Sequence, residues 1–196
     1  MQKNINTYYY EWLSLSKEEF MILDLLVEEI KFIGNLSDIC RKMNLVATHR
    51  SRAKFKNAIS SLFEHQFIKC EKKGRTYILE LSPTEEMIGI EIEKTWVSLE
   101  RLRKGHYSES VHWVNVLKVL LYLKYSQDFI FTNQEISDQL WISTTTVISS
   151  KKVLHDDFNA LDIDYQYAPK TSPEDEIRCV GQKAEFNALT KIPDYK

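Results

Sequence analysis

The stretch THRSRAKFKNAISSLFEHQFIKCEKKGRTYILEL, Thr48 to Leu81, changes its period in the middle. Up to His65 its apolar residues Phe55, Ile59 and Leu62 recur at helical spacing, so one face of a helix is buried. After Gln66 the pattern alternates, and Lys72-Lys73-Gly74-Arg75 divides it into two strands, Phe67 to Glu71 and Thr76 to Leu81, around a short Gly-containing turn. A polar helix followed by a β-hairpin is therefore expected. The stretch is also basic: from Arg41 to Arg75 there are ten Lys or Arg against two acids. That local charge of +8 sits in a chain of net charge −2, so the remainder is near −10. A like-charged cluster repels itself and is best tolerated where a counter-charge arrives.

Upstream of this stretch the sequence marks helix starts by capping boxes, an oxygen-bearing residue followed three positions later by an acid. Ser16 with Glu19 opens a helix to Lys31, with Phe20, Leu23, Val27 and Ile30 on its apolar face. Asn35 with Asp38 opens a shorter one, and Thr132 with Glu135 opens another in the second half. NLSDICRKMNL (Asn35 to Leu45) and TNQEISDQLWI (Thr132 to Ile142) share cap, acid, Ile, Met or Leu, and Leu or Ile, 97 residues apart. Each is preceded by an apolar helix (Ser16 to Lys31; about Val111 to Tyr125) and followed by a polar turn into a third helix, with Val147, Leu154 and Phe158 as the second copy's core stripe. Three short helices with a tight turn between the second and third form a helix-turn-helix.

A second hairpin is expected in the second half. Leu161, Ile163, Tyr165 and Tyr167 alternate with polar residues, and an acidic loop with Glu174, Asp175 and Glu176 leads to a strand around Ile177 to Val180. Between the halves, Ser82-Pro83-Thr84-Glu85 predicts a helix start, and Ile88, Ile92, Trp96, Leu99 and Leu102 predict a helix over 84–105 that Gly105 ends. The expected organisation is mainly α with small β-hairpin wings: domain 1 at 1–83, basic; a connecting helix at 84–105; domain 2 at 106–196, acidic.

The succession of helices followed by Gln66-Phe67-Ile68, Gly74 and Tyr77 to Leu81 resembles winged helix-turn-helix DNA-binding domains. Two such units in one chain resemble the replication initiators of plasmids and phages, and a single unit also resembles MarR-type regulators. The resemblance implies a sequence-specific duplex-DNA-binding protein that acts in replication or transcription of a mobile element. The alternative is a scaffold whose tandem units bind proteins and touch DNA little. The second half departs from the initiator pattern: from Val111 to Lys196 nine Lys or Arg face twelve Asp or Glu.

In such domains the third helix enters the major groove and the hairpin meets phosphates. The candidate DNA contacts are therefore Arg50, Arg52, Lys54, Lys56 and Asn57 on the third helix and Lys72, Lys73 and Arg75 on the hairpin turn. Arg and Lys can read guanine and Asn adenine, while turn cations neutralise phosphate. In the second unit the corresponding candidates are Thr144, Thr145, Lys151 and Lys152. That unit, or the connecting helix, is also where a second copy or a partner protein is expected. The aromatic opening TYYYEWL (Thr7 to Leu13) is expected to pack against the first unit.

No enzyme, cofactor or metal is expected. There is no Gly-rich phosphate loop and no nucleophile elbow. His106 and His112 flank Ser108 and Ser110, but triad members come from distant segments. Cys40, Cys70 and Cys179 form no C-x-x-C pair, so a reducing, cytoplasmic setting is expected. The most apolar run, VNVLKVLLYLKY, is interrupted by Lys118 and Lys124 and is too short to span a bilayer.

Overall fold

The capping boxes form as their side chains require. In a computed structural model, Ser16 accepts from the Glu19 amide while the Glu19 carboxylate accepts from the Ser16 amide at 2.7 Å, and α1 runs Lys17–Glu29. Asn35 and Asp38 start α2 (Leu36–Lys42) the same way. Thr132 and Glu135 start α6 (Asn133–Leu140). Residues 5–93, 98–126, 132–166 and 184–189 are described. The protein is mixed α/β, helices with small sheets, and it divides into two compact units, Met1–Ile92 and Glu93–Lys196.

In the first unit, β1 (Ile5–Tyr9) and a 3-10 turn (Tyr10–Ser14) precede α1. Then follow β2 (Lys31–Gly34), α2, α3 (His49–Glu64), β3 (Ile68–Lys73), β4 (Thr76–Leu81) and β5 (Gly89–Glu93). The core gathers on α1, whose Phe20, Met21, Ile22, Leu23 and Leu26 are almost fully buried. Each such side chain contributes about 1.5–3 kcal/mol. From α3, Phe55, Ala58, Ile59 and Leu62 meet it. Tyr8, Trp12 and Leu13 of the aromatic opening are buried in this core, and the Tyr8 hydroxyl donates to Asp24 at 2.7 Å, so this segment packs as expected.

The hairpin β3–β4 is antiparallel, with Lys73 opposite Thr76 across the two-residue turn Gly74-Arg75. Gly74 holds φ +62°, a left-handed conformation that glycine adopts without a Cβ clash. The sheet has one strand more than expected. β2 pairs antiparallel with β4, placing Lys31 opposite Glu80 and Ile33 opposite Ile78, in the order β2-β4-β3.

The continuous helix expected over 84–105 does not form. Gly89-Ile90-Glu91-Ile92-Glu93 instead builds β5 beside β1, with Ile90 and Ile92 buried and their neighbours exposed. Two-residue alternation prevailed over the weaker helical stripe, and Ile88, assigned to that stripe, is 45% exposed. The only helix among the described residues of this stretch is α4 (Leu99–Lys104), capped by Ser98 and ended by Gly105 in the left-handed region. Trp96 lies outside the described residues. The boundary between units falls after Ile92, inside the segment expected to be the connector.

The second unit contains α4, α5 (Trp113–Tyr125), α6, α7 (Thr144–Asp156), β6 (Leu161–Gln166) and β7 (Ala184–Leu189). α5 is buried nearly all round. Val147, Val153 and Leu154 of α7 join its core. Phe158, expected on that stripe, follows the end of α7 and lies against the Arg101 guanidinium, 4.9 Å from its ring centroid. β6 pairs antiparallel with β7. The strand expected at Ile177 to Val180, Tyr167 and the acidic residues Glu174, Asp175 and Glu176 lie outside the described residues.

Candidate nucleic-acid interface

The basic stretch does not remain a uniform patch once folded. Four of its ten cations are closed by carboxylates: Lys54 by Glu18 at 2.8 Å, Arg41 by Asp38 at 2.9 Å, Lys73 by Glu71 at 3.0 Å, and Lys42 by Glu29. Three of these acids lie outside the stretch, on α1 and α2. Burial pushes the Glu18 carboxyl up, but the Lys54 hydrogen bond, a backbone hydrogen bond and the charges of Lys54 and Lys17 together hold it below its ordinary value.

Among the described residues, Arg50, Arg52, Lys56, Lys69, Lys72 and Arg75 make no ion pair. Four of these, Arg52 and Lys56 from α3 and Lys72 and Arg75 from the hairpin end, line one groove of about 560 Å³. Asn35, Leu36 and Ser37 from the start of α2, with Gly74 and Tyr77, complete its wall, and no carboxylate lines it. The Lys72 ammonium stands 5.4 Å from the Tyr77 ring centroid, and Arg52 donates to the Ala47 carbonyl at 3.0 Å. Both cations are thereby oriented. Arg50 and Lys54 instead face a separate recess of about 210 Å³ with Lys17, Glu18 and Thr48.

The residues on the outward line of α3 complement its buried stripe: His49, Ala53, Lys56, Asn57 and Ser60 are all exposed. His49, Ala53 and Ser60 are not among the expected contacts, nor are Asn35, Ser37 and Tyr77. The first three follow from the helical spacing that placed Phe55, Ile59 and Leu62 inside. The last three required the tertiary fold.

The second unit departs from expectation at two candidates. Lys151 is 2% exposed and its ammonium donates to Asn133 at 3.1 Å, so it lies in the core and reaches no ligand surface. Lys152 is exposed but closed by Glu109 at 2.6 Å, and that carboxylate holds its ammonium above the ordinary lysine value. Thr144 is half-buried and donates to Gln134 at 3.1 Å, leaving Thr145 exposed. Ser108 donates to Asp157 through its amide and hydroxyl, and His112 caps α5. No group of His, Cys, Asp and Glu among the described residues could hold a metal ion. No helix among them is long and apolar enough to cross a membrane. In comparisons with protein-family models, curated proteins and solved structures, nothing matched this chain.

Proposed function

We propose that the chain is a sequence-specific duplex-DNA-binding protein built on winged helix-turn-helix units, with a first unit that carries the duplex contact. The order helix, strand, helix, helix, strand, strand and the sheet β2-β4-β3 support the winged-helix reading of that unit. The observation that carries the functional reading is the acid-free groove in which Arg52, Lys56, Lys72 and Arg75 converge. A phosphate backbone laid along it meets cations from both the third helix and the hairpin turn, while the outward line of α3 meets base edges. Asn57 suits adenine, and Ala53 suits a thymine methyl.

A role as replication initiator or initiator-like regulator of a plasmid, phage or other mobile element follows from the tandem arrangement and belongs to the same proposal. The second reading, a scaffold that binds proteins, is favoured locally by α7, which offers no unpaired cation on its described face. The two readings are separated by a binding assay on duplex DNA of random sequence, wild type against the Lys56→Ala, Lys72→Ala double variant. The DNA reading expects binding that the double variant weakens at least tenfold. Equal binding by both proteins contradicts the groove as the contact, and no binding by either at low salt leaves the scaffold.

A further inference from the structure

Arg50-Ser51-Arg52-Ala53-Lys54-Phe55-Lys56-Asn57 carries a cation at every second position. Successive residues of an α-helix stand about 100° apart, so neighbours in that series fall on opposite flanks of α3. Two rows result, each of residues four apart: Arg52 with Lys56, and Arg50 with Lys54. Between the rows run Ala53 and Asn57, exposed and uncharged. The first row opens on the acid-free groove. The second opens on the recess of about 210 Å³ that the groove reading leaves without a task.

This recess is cationic despite its one acid. Lys17 from the start of α1, Arg50 and Lys54 line it with Glu18, three cations against one carboxylate. Glu18 is the more enclosed partner of its ion pair, its side chain 20% exposed against 53% for Lys54. Lys17 and Arg50 are exposed and make no ion pair among the described residues. The hydroxyls of Thr48 and Ser51 are taken up at the helix start, 2.6 Å from each other, and Ser51 donates to the Val46 carbonyl at 2.9 Å. An anion entering the recess therefore meets the side-chain cations.

The major groove of a duplex is about 12 Å wide and a helix with its side chains is about 10–12 Å across, so a helix laid in it has a phosphate backbone on either side. The geometry points to a second phosphate seat in the recess, where Arg50 and Lys17 take the backbone of the complementary strand while Glu18 holds Lys54 back. This inference rests on the duplex-DNA reading of the first unit. It makes the two flanks unequal, because the groove carries four cations and no acid and the recess a net charge of +2. A single strand brings one backbone and takes the stronger flank; a duplex occupies both. Arg50 thus holds duplex and contributes nothing to holding a single strand.

The test is the salt dependence of binding by the full chain to duplex DNA of random sequence and to single-stranded DNA of the same length. Wild type is compared with Arg50→Ala, Arg50→Lys and Lys72→Ala. On duplex, Arg50→Ala should make the slope of log K against log salt shallower by about 0.9, one phosphate contact fewer, and on single-stranded DNA it should leave the slope unchanged. Lys72→Ala should flatten both, by about 0.9 and about 0.7. Arg50→Lys should keep the wild-type slope, because counterion release counts charge, and this separates a lost charge from a lost fold. An Arg50→Ala duplex slope equal to that of wild type overturns the second seat. If Lys72→Ala is still flatter in that case, the groove reading stands; if it too is unchanged, that reading falls as well. Equal flattening by Arg50→Ala on duplex and on single-stranded DNA overturns the assignment to the complementary strand. Single-stranded DNA left unbound by the wild type supports the two-sided hold, since one backbone is then not enough.

Discussion

Lys151 and Lys56 read alike in sequence, each a lysine on a third helix, and the fold gives them opposite surroundings. Lys151 is in the core with its ammonium on Asn133, whereas Lys56 is exposed on the groove. Lys151→Ala is expected to lower unfolding stability by about 1–3 kcal/mol, the range for removing a buried, hydrogen-bonded side chain, with DNA affinity of the folded protein unchanged. Lys56→Ala should do the reverse. Denaturant melts and duplex binding on both variants check this pair. Glu18 supplies a second contrast, since it restrains Lys54. Glu18→Gln is expected to raise duplex affinity and steepen the salt slope by about 0.9, one added phosphate contact. Its folded-state pKa is depressed, so the pair stabilises the fold above the ordinary value of 4.5, and that contribution is lost as pH falls through the lower, folded-state value. The Glu18→Gln variant should therefore lose less stability on acidification than wild type.

At the scale of elements, what was legible was what local chemistry decides. The three capping boxes at Ser16, Asn35 and Thr132 placed α1, α2 and α6, and the change of period after Gln66 placed the β3–β4 hairpin. β2 was not legible because four residues, Lys31 to Gly34, carry little pattern, and their hydrogen-bond partners on β4 lie far along the chain. The false helix over 84–105 had a similar cause. Ser82 and Pro83 look like a helix start, but β1 supplies a neighbour for β5 that only the fold reveals. Within the site, the basic residues were legible, and so was the Asp38–Arg41 pair at i,i+3 on α2, but the closure of Lys54 and Lys42 was not, since Glu18 and Glu29 come from α1. The hairpin and α3 should now separate in function. Lys72→Ala and Arg75→Ala are expected to weaken binding to a selected site and a scrambled one by the same factor, whereas Asn57→Ala should weaken the selected site more and leave the scrambled one nearly unchanged. Competition binding with both duplexes reads this directly, and equal losses for Asn57→Ala contradict the placement of α3 against bases.

Across the whole molecule, each unit sets helices against small antiparallel sheets, but the described surfaces of the two differ. The first gathers unpaired cations into one groove; the second buries Lys151, closes Lys152 with Glu109 and exposes Trp141. The proposed function therefore gives the duplex contact to the first unit. The most direct test is the salt dependence of duplex binding for the wild type and for a variant in which Arg52, Lys56, Lys72 and Arg75 are all alanine. If each of the four neutralises one phosphate, the wild-type slope of log K against log salt should be steeper than the variant's by about 3.6, that is about 0.9 for each contact. Identical slopes for the two proteins, or a wild type that binds duplex without regard to salt, contradict the groove as the site of DNA contact.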